Sequence, residues 1–307
     1  MKKSSSNRAA SIRARLLNLA RDRKEDFQLV LVRYANERLL FRLSRSQHAS
    51  NFVLKGAALF TVWMEAPHRP TRDLDFLGFG TDDAVRIQSV FGDVIAIEFP
   101  DDGIEFLRDS LRVEPIREDQ EYGGKRVTLR ATLAGAQIAL QVDVGFGDAI
   151  TPKAETVEFP TLLDLPPPSL RVYPKETVVA EKLEALVTLG MGNSRMKDFF
   201  DLAFLSRIFE FDGLLLSQAV VATFARRGTP IPDAAPVALT PAFSTDSSKM
   251  TQWKAFLAKG GLEAAALDET MATIARFLMP VIDQARSKST IHRSWRSGAW
   301  YEPTSSG

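Results

Sequence analysis

The sequence predicts an α+β fold, in which a mixed β-sheet with flanking helices is followed by an α-helical C-terminal lobe. Short apolar or alternating runs typical of strands are concentrated between residues 51 and 144. Apolar positions at helical spacing dominate residues 8–43 and the chain from 177 to 285. A proline-rich stretch, Pro152–Pro168, separates the sheet region from the C-terminal helices and is typical of an extended connector.

The composition is that of a soluble globular protein and excludes several kinds of site. The chain has 307 residues, of which 45% are hydrophobic and 25% charged. It contains no cysteine, which rules out disulfides, zinc–thiolate sites and thiol catalysis. Its three histidines are too scattered in sequence to predict a metal cluster. No run approaches the roughly 18 apolar residues of a membrane span, so we expect a cytoplasmic protein with no membrane partner.

These patterns predict four segments along the chain: an N-terminal helical region 1–50, an α/β lobe 51–165, a helical lobe 166–289 and a tail 290–307. The polar start, Met1–Asn7, is predicted to be disordered. Residues 1–24 carry eight Lys or Arg and one acid, whereas the net charge of the whole chain is +1. This basic segment is either a solvated helix or an electrostatic contact for an RNA backbone.

The stretch from 51 to 80 organises the α/β lobe. Phe52–Leu54 predicts a buried strand, and the small residues in Lys55–Ala58 predict a tight turn that approaches a neighbour closely. A helix through Leu59–Met64 follows and ends before Pro67. Residues 72–77 then predict a second strand.

Two carboxylates lie on this second strand. Asp73 and Asp75 stand at i and i+2, so they share one face while the apolar residues between them share the other. Like charges this close repel each other unless a cation lies between them. Carboxylate oxygens on a rigid strand are ligands that suit magnesium.

The remaining elements of the lobe include three alternating strands. A helix over Ala84–Val90 and a strand over Val94–Phe99 are predicted first. The alternating strands then cover Ser110–Ile116, Arg126–Leu133 and Gln137–Val144. Asp143 faces away from the apolar side of the last strand, and a lone Asp there is costly unless it is paired or binds a metal.

The C-terminal lobe is predicted to be helical, with a tail that has no period. The predicted helices are Thr177–Leu189, Arg195–Phe209, Leu214–Arg226, Trp253–Leu257 and Leu262–Ala285, with a loop over Thr229–Ser248 and the tail from Thr290. Lys182 lies beside the apolar stripe of its helix, where it either extends into solvent or reaches a site. Asp198 and Asp201 share a helical face, as first-turn acids favoured by the helix dipole or as site residues.

Three motifs together resemble the AbiEii/AbiGii toxin family within the DNA polymerase β-like nucleotidyltransferases. They are FVLKGAALF…RPTRDLDF, VDVGFGD from Val142, and EKLEALVTLG…NSRMKDFFDL. The resemblance implies a nucleotidyltransferase-type sheet, and Mg²⁺ or Mn²⁺ held by Asp73, Asp75 and Asp143. It also implies that Lys182 neutralises phosphate charge and that Asp198 orients Lys182 or the acceptor.

The same resemblance implies a nucleotide site and a function. Lys55, Gly56, Ala57, Arg72 and Asp201 would bind the nucleoside triphosphate, although the family usually has Gly or Ser where this chain has Ala57. The alternatives for Arg72 are an RNA contact and a structural pairing with its neighbouring acids. The implied activity is transfer of a nucleoside monophosphate to RNA such as a tRNA 3′ end. The implied setting is a toxin–antitoxin or phage-defence system with a cognate antitoxin. The alternatives are a phosphotransferase that acts on protein and a catalytically degenerate nucleotide-binding module.

Overall fold

The computed structural model describes residues 2–64, 68–116, 123–290 and 292–302, with side chains from Asn7 onward. The chain divides into two compact units. Unit 1 contains residues 1–147 and 155–172, and unit 2 contains residues 148–154 and 173–307. Pro67, predicted to end the helix before it, falls outside the described residues.

Unit 1 is built from four helices and seven strands in its described part. The helices are α1 (Lys2–Arg23), α2 (Phe27–Arg45), α3 (Leu59–Trp63) and α4 (Ala84–Ala96). The strands are β1 (Phe52–Lys55), β2 (Leu74–Gly78), β3 (Glu105–Ile116), β4 (Gly124–Leu133), β5 (Ala136–Phe146), β6 (Glu155–Glu158) and β7 (Ser169–Val172).

The seven strands form one mixed sheet, as the sequence predicts. Their order is β3-β4-β5-β2-β1-β7-β6. The pairs β2/β5 and β1/β7 are parallel, and the other neighbours are antiparallel. The β4–β5 hairpin turns at Ala134–Gly135, where both residues have positive φ, and this two-residue turn fixes the register of the hairpin.

The N-terminal region forms two helices and begins earlier than predicted. Because α1 starts at Lys2, the disorder predicted for Met1–Asn7 is wrong from Lys2 onward. Positive φ at Lys24 breaks the helical run, and Asp26 then caps α2 by accepting from the Leu29 N–H. On α1 the buried residues recur at spacings of three and four: Ala9, Ile12, Leu16 and Ala20.

Two predictions in unit 1 are wrong because packing overrides a local signal. The strand predicted over Val94–Phe99 does not form, since Val94 belongs to α4 and is fully buried there. Ile87, Val90 and Phe91 lie buried at helical spacing with Val94, which outweighs the β-propensity of the segment. The proline-rich connector in turn contains β6, whose residues pair with β7 at the sheet edge.

Unit 2 is helical, with one small antiparallel sheet. Its helices are α5 (Lys175–Leu189), α6 (Met196–Ile208), α7 (Gly213–Arg226), α8 (Pro241–Ser244), α9 (Ser247–Gly260) and α10 (Leu267–Ser287). Its strands are β8 (Phe211–Asp212), β9 (Ser294–Arg296) and β10 (Ala299–Tyr301), in the order β10-β9-β8. The loop predicted over 229–248 therefore contains α8, and α9 is longer than the helix predicted there.

The tail is ordered by two tryptophans. Trp295 on β9 is buried and donates a hydrogen bond to the Ser206 carbonyl at 2.6 Å. The Trp300 ring stacks on Phe277 of α10 at a centroid distance of 6.0 Å. These contacts join residues that are far apart in the sequence, so local periodicity in the tail could not predict them. Among the described helices, none is both long and apolar enough to cross a membrane.

Candidate active site

Two of the predicted carboxylates lie side by side in the sheet of unit 1. Asp75 on β2 and Asp143 on β5 are paired in register on neighbouring parallel strands, and both are half-buried. Val142 and Val144 flank Asp143 on the fully buried face, as the alternation predicts. Asp73 lies just before β2, because this strand begins at Leu74 and not at residue 72.

The turn after β1 brings its backbone against Asp75. Gly56 has φ +74°, and a Cβ added there would lie 2.0 Å from Asp75 Oδ2. Only glycine therefore fits at this position. Lys55, the last residue of β1, is paired with Asp75 across the strands, and Ala57 is buried in the 3₁₀ turn that follows. The helix after this turn, α3, has only five residues, so the backbone turn and not a helix dipole is what adjoins Asp75.

Asp143 is engaged by an arginine that the sequence reasoning missed. Arg126 on β4 donates from Nε and Nη2 to the two Asp143 oxygens at 2.8 and 2.7 Å. The Gln141 amide oxygen faces the same guanidinium at 3.1 and 3.2 Å, whereas the opposite amide orientation gives longer contacts of 3.3 Å to Asp143. The signal was available, because the two-residue turn at Ala134–Gly135 sets Arg126 opposite Asp143.

The three aspartates of unit 1 offer ligand atoms that suit magnesium, but the structure does not group them as a metal cluster. Asp73, Asp75 and Asp143 offer only oxygen atoms, the ligands that Mg²⁺ prefers. Among the described residues, no three His, Asp or Glu side chains are grouped so as to hold a metal ion. Each Asp143 oxygen that accepts from Arg126 keeps a second lone pair, so this ion pair does not exclude a metal.

The other predicted residues form a cluster within unit 2. Lys182 on α5 donates to Asp198 Oδ1 at 2.7 Å and to Asp201 Oδ2 at 2.8 Å, both on α6. The two carboxylates are almost fully buried, and the lysine side chain is 14% exposed. Arg195 Nε lies 2.7 Å from Asp198 Oδ2 as an ion pair without hydrogen-bond geometry. Lys182 therefore does not extend into solvent, because both acids hold it.

Electrostatics keep this cluster charged. Burial by itself lowers the pKa of Lys182, but Asp198 and Asp201 outweigh it and raise the pKa above the ordinary lysine value. Burial raises the pKa of Asp198, whereas Lys182 and Arg195 together hold that pKa below its usual range. Two of the three ammonium donors of Lys182 are used by the acids, which leaves one for another acceptor.

A second charged network in unit 2 has a structural role. Arg227, after α7, bonds Asp148 at 3.1 Å and Glu184 at 2.7 Å. Glu184 also accepts from the hydroxyls of Thr188 and Thr229. Asp148 is therefore a loop acid paired within the unit.

Comparison with known proteins identifies the fold and the family. Two crystal structures from Helicobacter pylori are similar in fold. A candidate nucleotidyltransferase is 16% identical with a TM-score of 0.51, covering 86% of this chain and 99% of that one. JHP933 is 15% identical with a TM-score of 0.50, covering 86% and 95%. No curated protein matches the sequence.

A family-level profile carries the assignment further than these structures, which at such identity show the fold alone. The profile is described as nucleotidyl transferase AbiEii toxin, type IV TA system, and it matches residues 38–276. That range includes all the predicted site residues of both units. Because the match spans well over half of the sequence, the chain belongs to the AbiEii nucleotidyl transferase toxin family.

Proposed function

We propose that the protein is a magnesium-dependent nucleotidyltransferase that moves a nucleoside monophosphate from a nucleoside triphosphate to a hydroxyl group of RNA. Membership of the family gives the general class, a toxin-type nucleotidyltransferase with a nucleotide substrate and an antitoxin partner. The observation that carries the finer proposal is the pairing of Asp75 with Asp143 on adjacent parallel strands, beside the close backbone approach of Gly56.

Within unit 1, the turn and the carboxylates have separate tasks. The Gly56–Ala57 backbone, with the Lys55 ammonium beside it, binds the β- and γ-phosphates. Asp73, Asp75 and Asp143 would hold Mg²⁺ or Mn²⁺, which when bound offsets phosphate charge and lowers the pKa of the attacking hydroxyl. Asp143 is oriented for this by Arg126.

Within unit 2, Lys182 is the proposed phosphate-binding cation. Its raised pKa keeps it charged at neutral pH, and its remaining N–H can bind a phosphate oxygen as a point charge. Asp198 and Asp201 fix the position of the ammonium, so both act as positioning residues.

RNA is the proposed acceptor, and a tRNA 3′ end is the proposed form. The support is a group of exposed arginines distributed around α1: Arg13, Arg15, Arg21 and Arg23 all reach solvent. Such a basic helix can hold a nucleic acid by its phosphates without sequence readout. A cognate antitoxin would restrain this activity in the cell.

Labelled nucleotides test the proposal. The protein is incubated with deacylated tRNA and magnesium or manganese, and with each of the four nucleoside triphosphates labelled at the α- or γ-phosphate. Transfer of the α-label to RNA is expected, and Asp73→Ala and Asp143→Ala should abolish it. The matched control is Asp109→Ala, which removes an exposed acid on β3.

The other outcomes point to the alternative functions. A γ-label on protein would make the chain a phosphotransferase, and nucleotide binding without turnover would make it a degenerate module. Because Asp143→Ala removes the ion pair with Arg126, we expect this variant to be less stable by up to about 1 kcal/mol. Relieved repulsion between the carboxylates acts in the opposite direction.

A further inference from the structure

A cavity with a mixed polar and apolar lining lies against the sheet of unit 1, beside Asp73. Its volume is about 480 Å³, within the roughly 300–1,000 Å³ typical of small-molecule sites. Its polar lining residues include Arg72, Asp73, Ser110, Thr128, Arg130 and Gln141. On β4 and β5, Thr128, Arg130 and Gln141 alternate with buried residues and so share a face with Arg126 and Asp143. The buried Leu129 and Leu140 also line the cavity, as do Gln28 and Val32 of α2.

The lining suits an anionic sugar–phosphate ligand. Arg72 and Arg130 are exposed, and within the described part of the chain neither guanidinium group has a hydrogen bond or ion pair. Ser110 lies in the irregular part of β3, where its hydroxyl accepts from the Arg130 backbone N–H at 2.8 Å. The other uncharged polar groups are the Thr128 hydroxyl and the amides of Gln28 and Gln141, groups that can bind ribose or base edges. Two guanidinium groups beside hydroxyls and amides fit a phosphodiester better than a protein side chain.

The strand order separates this cavity from the Gly56 turn. Across the sheet, Gly56 follows β1, Asp75 is on β2, Asp143 is on β5, and the cavity continues over β4 toward Ser110 on β3. In strand order, Asp75 and Asp143 thus lie between the proposed triphosphate turn and the cavity, and Asp73 lines the cavity. In phosphoryl transfer the attacking and leaving oxygens lie roughly in line on opposite sides of the phosphorus. If pyrophosphate leaves on the Gly56 side, the attacking hydroxyl enters from the cavity side.

We propose that this cavity seats the terminal, hydroxyl-bearing nucleotide of the RNA acceptor; the inference rests on the proposed function. The 3′-hydroxyl oxygen attacks the α-phosphorus and forms the new P–O bond. The bond from that phosphorus to the oxygen bridging to the β-phosphate breaks, and pyrophosphate leaves with its electron pair. The proton of the hydroxyl passes to solvent water, next to the Asp73 carboxylate that lines the cavity. Arg72, predicted from sequence to bind the nucleotide, then holds an acceptor phosphate together with Arg130.

Filling the cavity tests the proposal. Ala139 lines the cavity from an exposed position on β5, so Ala139→Trp occupies the space without entering the core. Gln137→Trp is the matched control, because Gln137 lies two residues away on the same face of β5 and does not line the cavity. Arg130→Gln is a second variant that removes charge without adding bulk, and melting temperatures verify that all three fold.

The measurement is the KM of each variant for deacylated tRNA and for the nucleoside triphosphate. We expect Ala139→Trp and Arg130→Gln to raise the KM for RNA by about tenfold or more, with the KM for the triphosphate within about twofold of wild type. A tRNA that ends in a 3′-phosphate should inhibit the wild type competitively and the Ala139→Trp variant far more weakly. Gln137→Trp should match the wild type.

The outcomes separate this inference from the proposed function. An unchanged KM for RNA in both cavity variants, with transfer intact, overturns the cavity assignment and leaves the function standing. A raised KM for the triphosphate alone makes the cavity a nucleotide-base site. If the wild type labels protein and not RNA, the proposed function fails and the RNA assignment fails with it.

Discussion

At the scale of single residues, Gly56 is the position where the local backbone and the candidate site depend most directly on each other. Its positive φ disfavours any side chain, and the space where a Cβ would lie is taken by the Asp75 carboxylate. A substitution there has to strain the backbone and displace a proposed metal ligand at once. The Gly56 conformation thus links the turn after β1 to the position of the Asp75 carboxylate on β2.

Gly56→Ala should therefore lose both stability and activity. We expect a decrease of roughly 1–3 kcal/mol in the free energy of unfolding, from backbone strain and the clash together, and a loss of nucleotide transfer. The control is Gly135→Ala, which also has positive φ but no atom within 4 Å of the added Cβ. Denaturant unfolding and the labelled-nucleotide assay provide the measurements. A Gly56→Ala variant as active as Gly135→Ala would show that Asp75 has no fixed role.

A second residue, Glu37 on α2, carries a buried acid. Its Oε2 accepts from the Leu162 backbone N–H at 2.7 Å, and Oε1 lies 2.8 Å from the Arg38 guanidinium. Burial raises the pKa of Glu37 from 4.5 to about 7, although Arg38 and the Leu162 hydrogen bond lower it. The folded chain therefore keeps a proton here that the unfolded chain releases between these pH values. Stability consequently falls as pH rises from 4.5 through 7.

Glu37→Gln should remove this pH dependence, because glutamine keeps the acceptor for the Leu162 N–H and cannot ionise. We expect the variant to match the wild type near pH 4.5 and to be more stable by roughly 1–3 kcal/mol at pH 8. Denaturant unfolding across this pH range gives the difference. The control, Glu114→Gln, removes an exposed carboxylate on β3. A stability difference for Glu37→Gln that does not change with pH would contradict the prediction.

At the scale of elements, α5 and α6 are joined by the Lys182 cluster. The lysine connects two buried acids of α6, and its positive charge offsets their negative charges away from water. The cluster contributes stability while Asp198 is ionised and Lys182 is protonated. That contribution is lost as pH falls through the lowered pKa of Asp198 or rises through the raised pKa of Lys182.

Lys182→Ala should lower stability as well as transfer, because it leaves Asp198 and Asp201 buried without the ammonium group. The expected loss in unfolding free energy is about 3–5 kcal/mol. Activity is therefore compared at a temperature where the variant is still folded, with near-UV circular dichroism to verify it. Full activity of the folded variant would make the cluster purely structural.

The control for this experiment is Lys197→Ala, an exposed lysine beside Asp198 in sequence. Glu184, two positions after Lys182 on the same helix, is unsuitable as a control because it bonds Arg227. Its pKa is lowered: burial would raise it, but hydrogen bonds from Thr188, Thr229 and Arg227 outweigh burial. A change at Glu184 would therefore disturb the packing of unit 2.

At the scale of the whole molecule, the basic N-terminus is part of unit 1. The apolar side of α1 is buried at Ile12, Leu16 and Ala20, while its arginines point to solvent. Arg8 is also paired with Asp101. Deleting residues 1–24 would therefore expose the core as well as remove charge. A charge substitution is the cleaner test of RNA binding.

Replacing four exposed arginines of α1 by glutamine should weaken RNA binding and flatten its salt dependence. The positions are Arg13, Arg15, Arg21 and Arg23. For each one that contacts a phosphate, the slope of log affinity against log salt should shrink by roughly 0.7–0.9. Binding of the nucleoside triphosphate with magnesium should be unchanged. Fluorescence anisotropy with deacylated tRNA over a salt series gives the slope.

A charge-matched control places the same substitutions in unit 2. It changes four exposed residues to glutamine: Arg207, Lys254, Lys259 and Arg276. Equal slopes for the α1 variant and the wild type would mean that α1 is only a solvated helix. Equal losses of RNA affinity in both variants would mean that net charge, and not the position of the charges on α1, controls binding.

The sequence by itself determined those parts of this protein that follow from the local periodicity of its residues. Alternation with period two set Asp143 opposite the apolar face of β5, and a two-residue turn fixed its register with β4. Helical period and a capping aspartate located α4, and small residues before a short helix located the Gly56 turn. Such signals depend on residues a few positions apart, so they can be recognised in a single sequence.

The tertiary structure alone decided what depends on contacts between distant segments. Val94 is helical because its side chain completes a buried stripe, and Trp295 gives the tail its strands because it packs against α10 and α6. The hydrogen bonds that hold Lys182, and the cavity beside Asp73, arise where separate elements meet. Burial and long-range pairing supply most of the free energy at these places and outweigh local propensity, which spans only about 1 kcal/mol per residue in strands.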